Sequence, residues 1–283
     1  MSRRLARIAL GLFIVPAALP AFAQTPARTG LIQERGLTSA DFPVIKKLSD
    51  NVYVWSDVHP NGIYLTNDLI VITTDGVFIA DGQKDVPTTR KMIDGIRKLT
   101  PQPIKYVAIC SEHGDHTGGN DAFPPGTQFL SKPQQLTLGT TAIEVVDNGR
   151  AHTGTDLEVY LPAQKILFAS EVFSNHIFPN MRTAAPTEWI QTLKKVQQMD
   201  GQWKIPGHGF IDAPEVLKEE LDSFAKATAY IVNEVTRVHK TGASAPDALK
   251  LVNWGPYASW PVVDRNGPMA VQRVYEELDG KLK

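Results

Sequence analysis

The sequence predicts an α+β fold, a four-layer αβ/βα sandwich followed by a C-terminal extension, and three observations carry that expectation. Short apolar runs alternate with Asp-Asn, Asn-Gly and Asp-Gly turns through the first half, an amphipathic helix follows, and the second half repeats the same order of elements. Two sheet-rich halves, each with helices, bury their apolar faces by packing sheet on sheet with the helices outside. Composition permits this: 42% of the 283 residues are hydrophobic and 21% charged, which excludes disorder and fibrous architectures.

In chain order, residues 1–23 read as a secretory signal peptide, with Arg3, Arg4 and Arg7 before the apolar run Ile8 to Leu19 and Ala21-Phe22-Ala23 at the cleavage position. Pro16 and Pro20 break the run, which is too short to span a membrane. Cleavage after Ala23 leaves 260 residues with a formal charge of −4, and a periplasmic location is expected. Residues 24–41 read as a flexible lead-in and 42–240 as the sandwich domain. Strands are expected at Asn51 to Trp55, Gly62 to Leu65, Leu69 to Ile72 and Val77 to Ala80, forming an antiparallel meander. Met92, Ile93, Ile96 and Leu99 place a helix over Pro87 to Leu99, followed by a buried strand from Ile104 to Ile109.

The second half is expected to hold strands at Gln128 to Leu130, Ala142 to Val146, Asp156 to Leu161 and Lys165 to Ala169. A helix from Glu188 to Met199, a short strand from Trp203 to Ile205 and a long helix from Pro214 to His239 complete it. Residues 241–283 form an extension whose Trp254, Tyr257, Trp260 and Tyr275 are expected to pack over a sandwich edge, or else to form a substrate wall or a dimer contact.

Charge and cysteine usage narrow the function classes. Lys plus Arg is 29 and Asp plus Glu is 30, so there is no cationic excess to neutralise phosphates, and a dedicated nucleic-acid binder is excluded. Cys110 is the single cysteine, so an exported form has no internal disulfide and depends on its core. Chemistry concentrates in Ser111-Glu112-His113-Gly114-Asp115-His116-Thr117-Gly118-Gly119-Asn120, where two imidazoles and a carboxylate sit in a glycine-containing turn after a strand. Nitrogen and oxygen ligands of this kind suit zinc.

With its outlying motifs, this segment resembles the metallo-β-lactamase superfamily, whose signature is H-x-H-x-D-H followed by separate His, Asp and His motifs. Asp81 matches the first motif and His152 the third; Glu171 stands at the fourth, where the family has Asp, and His208 matches the fifth. The resemblance implies metal ligands at His113, Asp115, His116, His152, Glu171 and His208. Asp81 and Ser111 would brace them, with Asp115 and Glu171 also handling the attacking water. Ser111 replaces the first signature histidine, so Asp115, His116 and His208 make one whole zinc site while His113 and His152 leave the other weak or absent. Ser111 through a water, Glu112 or His176 are the possible rescues of that site.

The implied function is an exported zinc hydrolase in which a metal-bound hydroxide attacks an activated carbonyl of a small molecule, a β-lactam being the best single guess. Lactone, thioester or ester hydrolysis is the alternative. A non-catalytic metal-binding protein with a degenerate site, and an iron-dependent sulfur oxidation that relies on the damaged site, are further readings.

Overall fold

The computed structural model describes residues 28–282, so the expected signal peptide lies outside the described residues. Strands β1 (Val44–Lys47), β2 (Val52–Val58), β3 (Leu65–Thr73) and β4 (Gly76–Ala80) lead to helix α1 (Val86–Arg97). Strand β5 (Ile104–Ala108), the single turn α2 (Gly114–Thr117) and β6 (Gln128–Leu130) complete the first half. The second holds β7 (Gln134–Leu138), β8 (Thr141–Val146), β9 (Glu158–Leu161), β10 (Ile166–Ser174), α3 (Pro186–Gln198), β11 (Trp203–His208) and α4 (Pro214–His239). The extension adds α5 (Ala245–Ala248) and α6 (Val263–Leu278).

Alternation along the strands produces the layers. In β4, Val77 and Ile79 face Met92, Ile93 and Ile96 of α1, while Phe78 and Ala80 point into a second core. That second core also receives Val159 and Leu161 of β9 and Ile166 and Phe168 of β10, so it lies between the two halves of the sheet. Leu167 and Ala169 point the other way, onto Trp189 and Leu193 of α3 and Phe224 and Ile231 of α4. The order is therefore helix, sheet, sheet, helix. Asp85 caps α1 by accepting from Thr88 N at 2.8 Å, and α4 opens on Pro214, whose missing N–H costs nothing in a first turn.

The two halves of the sheet are one curled, eleven-stranded surface, running β6-β5-β4-β3-β11-β10-β9-β8-β7 with β2 and β1 added beyond β3. A single register pair, His208 with Thr66, joins β11 to β3. Parallel pairing is confined to β4-β5-β6 and β10-β11.

Three expectations are corrected. Gly62 to Leu65 and Leu69 to Ile72 are not separate strands: Gly62 adopts φ +79° in a turn, and β3 runs unbroken through Thr66, Asn67 and Asp68. Asn67 and Asp68 look like a break, but both find buried partners: Asn67 Nδ2 donates to Pro206 O at 3.0 Å and Gly209 O at 2.9 Å, and Asp68 accepts from Gln83. Residues 28–41 of the expected flexible lead-in carry two 3-10 turns, and Ile32 packs against Val58 and Leu65. The extension covers the outer helical layer rather than a sheet edge, burying Ala270, Val271, Val274 and Tyr275 beside Leu221 and Val235. Among the described residues no helix is long and apolar enough to cross a membrane.

Candidate metal centre

The site forms where strands of both halves end. Asp81, just past β4, adopts φ +65°, and this turns its carboxylate under the loop after β5. Its Oδ1 accepts from Cys110 N at 2.7 Å and Ser111 N at 3.3 Å, and its Oδ2 from Ser170 Oγ at 2.6 Å. One buried carboxylate thus ties the β5 loop to β10. The loop then turns through α2, where Gly118 and Gly119 lie so close to the Lys84 and Asp85 backbone that a Cβ would overlap it. This seats His113, Asp115 and His116 at the ends of the first-half strands.

Three of the four imidazoles, those of His113, His116 and His208, have one ring nitrogen beside an oxygen outside the cluster. His208 Nδ1 lies 3.1 Å from Leu65 O, His116 Nδ1 lies 3.2 Å from Asp81 Oδ2, and His113 Nε2 lies 2.8 Å from Thr183 Oγ1. The Thr183 hydroxyl donates to His152 O at 3.3 Å, so it accepts from His113 Nε2–H. Ring protons directed outward leave the opposite nitrogens facing inward as lone pairs. His116 Nε2 and His208 Nε2 are 3.5 Å apart and lie 3.4 and 3.3 Å from Asp115 Oδ2, while His208 Nε2 is 3.0 Å from Glu171 Oε1. On the other side His113 Nδ1 is 3.1 Å from Glu171 Oε2, and His152 Nε2 is 3.0 Å from Glu171 Oε1 and 3.1 Å from His113 Nδ1.

Two donor groups result, Asp115-His116-Glu171-His208 and His113-His152-Glu171, with Glu171 common to both. They fit a metal ion. Four ligands at about 2.0–2.1 Å from a tetrahedral centre lie about 3.3 Å apart, the spacing found around Asp115 Oδ2. Asp115 Oδ2 is buried and accepts no hydrogen bond of full geometry, the nearest outside N–H being His59 Nε2 at 3.3 Å, which suits a carboxylate oxygen facing a cation.

The electrostatics agree. Burial opposes ionisation of Asp115, but His116, the His59 N–H and His208 hold its carboxyl well below the usual range. Burial likewise opposes charge on Glu171, and His152 and His116 overcome it. His116 is penalised by burial yet raised well above the usual histidine value by Asp115, Asp81 and Glu171, and His152 is raised chiefly by Glu171. A field that favours a proton on these rings favours a divalent cation in their midst.

Comparison with known proteins follows this geometry. No family model matches the chain. A type 2 metallo-β-lactamase from Bacillus cereus is 22% identical over 207 residues, covering 63% of this chain and 81% of that protein. A linear primary-alkylsulfatase from Pseudomonas sp. (strain ATCC 19151) is 20% identical over 258 residues, covering 65% of this chain and 49% of that protein. Among solved structures, a metallo-β-lactamase from Pontibacter korlensis superposes with a TM-score of 0.57 at 21% identity, covering 65% of this chain and 99% of that one. The DIM-1 metallo-β-lactamase gives 0.53 at 23% identity, with 65% and 97% covered. The chain has the metallo-β-lactamase superfamily fold. About a third of it lies outside what these metallo-β-lactamases cover.

On this metallo-β-lactamase fold, His113, Asp115, His116, His152, Glu171 and His208 converge, and Asp81 and Ser111 touch them from behind. The Ser111 hydroxyl donates to Glu171 Oε2 and so aims that carboxylate. Glu112 is exposed and outside both groups. His176 turns away to Glu220 Oε2 at 3.0 Å. Cys110 is fully buried behind the loop, and burial pushes its thiol up, as for an inert side chain.

Sequence reasoning missed His59, the residue that follows β2. Its Nδ1 accepts from Asn61 N at 3.1 Å, so Nε2 carries the proton and faces Asp115 Oδ2 at 3.3 Å. Tyr64 stacks on it with ring centroids 4.4 Å apart. Thr183 was also missed; nothing in its local sequence marks it.

Proposed function

We propose that the protein is an exported zinc-dependent hydrolase of a small molecule with an activated carbonyl, β-lactam first and lactone, thioester or ester next. One observation carries the reading: inward-facing imidazole nitrogens and two carboxylates converge, in two groups that share Glu171, on a pocket of about 260 Å³. Asp115, His116 and His208 would hold the tighter ion with Glu171 beside them, and His113 and His152 with Glu171 would hold a weaker one, because Ser111 offers a hydroxyl where an imidazole would bind. An ion held there would supply Lewis acidity and lower the pKa of water toward neutrality.

The chain's own residues do the rest. Glu171 Oε1, aimed by the Ser111 hydroxyl on Oε2, is placed to take a proton from the attacking water. Tyr64, kept protonated by burial, walls the pocket beside His59. Export rests on the N-terminal residues, and mass spectrometry of the mature N-terminus checks it: a start at Gln24 is expected, and an intact Met1 on membrane-bound protein overturns it.

The decisive experiment joins elemental analysis with a hydrolysis screen of zinc-loaded protein across β-lactams, lactones, thioesters, phosphodiesters and alkyl sulfates. Asp115→Asn and His208→Ala should each lose the tightly held zinc and all turnover. Glu171→Gln should keep that zinc and lose about 10²–10⁴-fold in kcat, the usual contribution of a positioned base. Activity that survives both ligand substitutions sinks the reading.

A further inference from the structure

The pocket over the metal centre has a second wall, and it is cationic. Among the described residues there are nine arginines; six of them, Arg28, Arg35, Arg97, Arg150, Arg237 and Arg273, pair with carboxylates. Arg90, Arg182 and Arg265 do not. Arg182 and Arg265 both line this pocket, where the lining carboxylates are Asp115 and Glu171, already engaged by histidines. Beside them Asn180 accepts from Arg182 N at 3.1 Å through Oδ1, which leaves its Nδ2 with two unused protons.

The wall is built, not incidental. Arg182 lies in the loop before α3 and Arg265 in the first turn of α6, which belongs to the extension. Phe178 N donates to Pro261 O at 3.1 Å and Asn266 Nδ2 to Phe178 O at 2.7 Å. Arg273 then donates to Ala184 O at 2.7 Å and Thr183 O at 3.2 Å. These bonds sew the loop to α6, so the two elements that carry Arg182 and Arg265 meet at the pocket both residues line. Thr183, in the same loop, bonds His113, so the wall and the metal centre share a fixed frame. Arg265 also acts on the Tyr64 phenol across the pocket.

Charge counting says what such a wall meets. Two guanidinium groups balance Asp115 and Glu171, so a divalent ion leaves the pocket with a net charge of about +2. Planar, always-charged guanidinium groups with an amide alongside match the oxygens of a carboxylate, sulfate or phosphate group.

We propose that Arg182 and Arg265, with the Asn180 amide, hold an anionic group of the substrate while the bond to be cleaved lies at the metal centre. The claim rests on the hydrolase reading only for the word substrate; the anion site stands on the pocket itself. It assigns to the extension a share in specificity.

Calorimetric titration of zinc-loaded, full-length protein with sulfate, phosphate and benzoate at constant ionic strength tests the site, with zinc content measured on every sample. Wild-type protein should bind at least one of the three at a single site, and the strongest identifies the group. Arg182→Ala and Arg265→Ala should each weaken binding about tenfold, and the double variant should abolish it, with zinc unchanged, since a charge-assisted hydrogen bond contributes about that much. Arg265→Lys should restore part of the loss. Both arginines are exposed, so the variants should fold. A double variant that binds the anions as tightly as wild type, or wild-type protein that binds none of them, overturns the proposal. If binding needs both arginines while no substrate in the screen is hydrolysed, the hydrolase reading falls and the anion site remains.

Discussion

Glu171 shows how one side chain alters the reading of a site. The substitution at the first signature position leaves His113 and His152 as a pair too small to hold an ion, but the longer glutamate reaches both of them and His208. The sequence shows which residue stands at Glu171; it does not show that its carboxylate lies within 3.1 Å of donors in both groups. A second buried carboxylate, Glu158 on β9, is legible only in the structure. Burial pushes it up to about 8 from its usual 4.5, Asn148 opposing and Asp156 adding to the effect. A carboxyl whose folded value is raised stabilises fully below about 4.5, and that stability is lost as pH rises through about 8. Wild-type protein should therefore lose on the order of 4 kcal/mol between pH 4.5 and 8 from this group. Glu158→Gln should flatten that slope in urea denaturation, and an unchanged slope would place the effect elsewhere.

Among elements, strands and long helices were readable because alternation and 3.6-residue spacing survive in β4, α1 and α4. The start of β3 was not, since Asn67 and Asp68 mimic a turn until their buried partners are seen, and α6 was hidden by Gly267 and Pro268 inside it. The turn α2 was legible as a metal loop, yet its seating was not. Gly119 lies against the Thr89 hydroxyl and the Asp85 carbonyl, so Gly119→Ala must push the loop off the start of α1. A loss of about 2 kcal/mol or more and reduced zinc retention are expected, read by thermal denaturation and elemental analysis. Gly114→Ala, in open space on the same turn, is the control that should leave stability nearly unaltered.

At the scale of the molecule, the four layers follow from two amphipathic half-sheets, and that much was present in the order of elements. The coverage of α3 and α4 by the extension was not, because aromatic residues in a tail do not say which face they meet. Deleting residues 241–283 would uncover the Leu221, Phe224 and Val235 face that Ala270, Val271 and Val274 close. The truncated chain should accumulate as insoluble protein, and a soluble, zinc-retaining product would show that the sandwich stands alone.

The single register pair between the halves, His208 with Thr66, has a mechanical meaning. One register pair is a narrow join between strands, and the donors meeting beside it come from both sides: His113, Asp115 and His116 from one half, His152, Glu171 and His208 from the other. An ion held by both His116 and His208 would close a loop of 92 residues, the length at which a covalent cross-link stabilises by about 4–5 kcal/mol through chain entropy. In a chain with one cysteine, the metal would thus serve as its removable staple. Backbone amides along β3 and β11 should exchange with solvent faster once a chelator has withdrawn it.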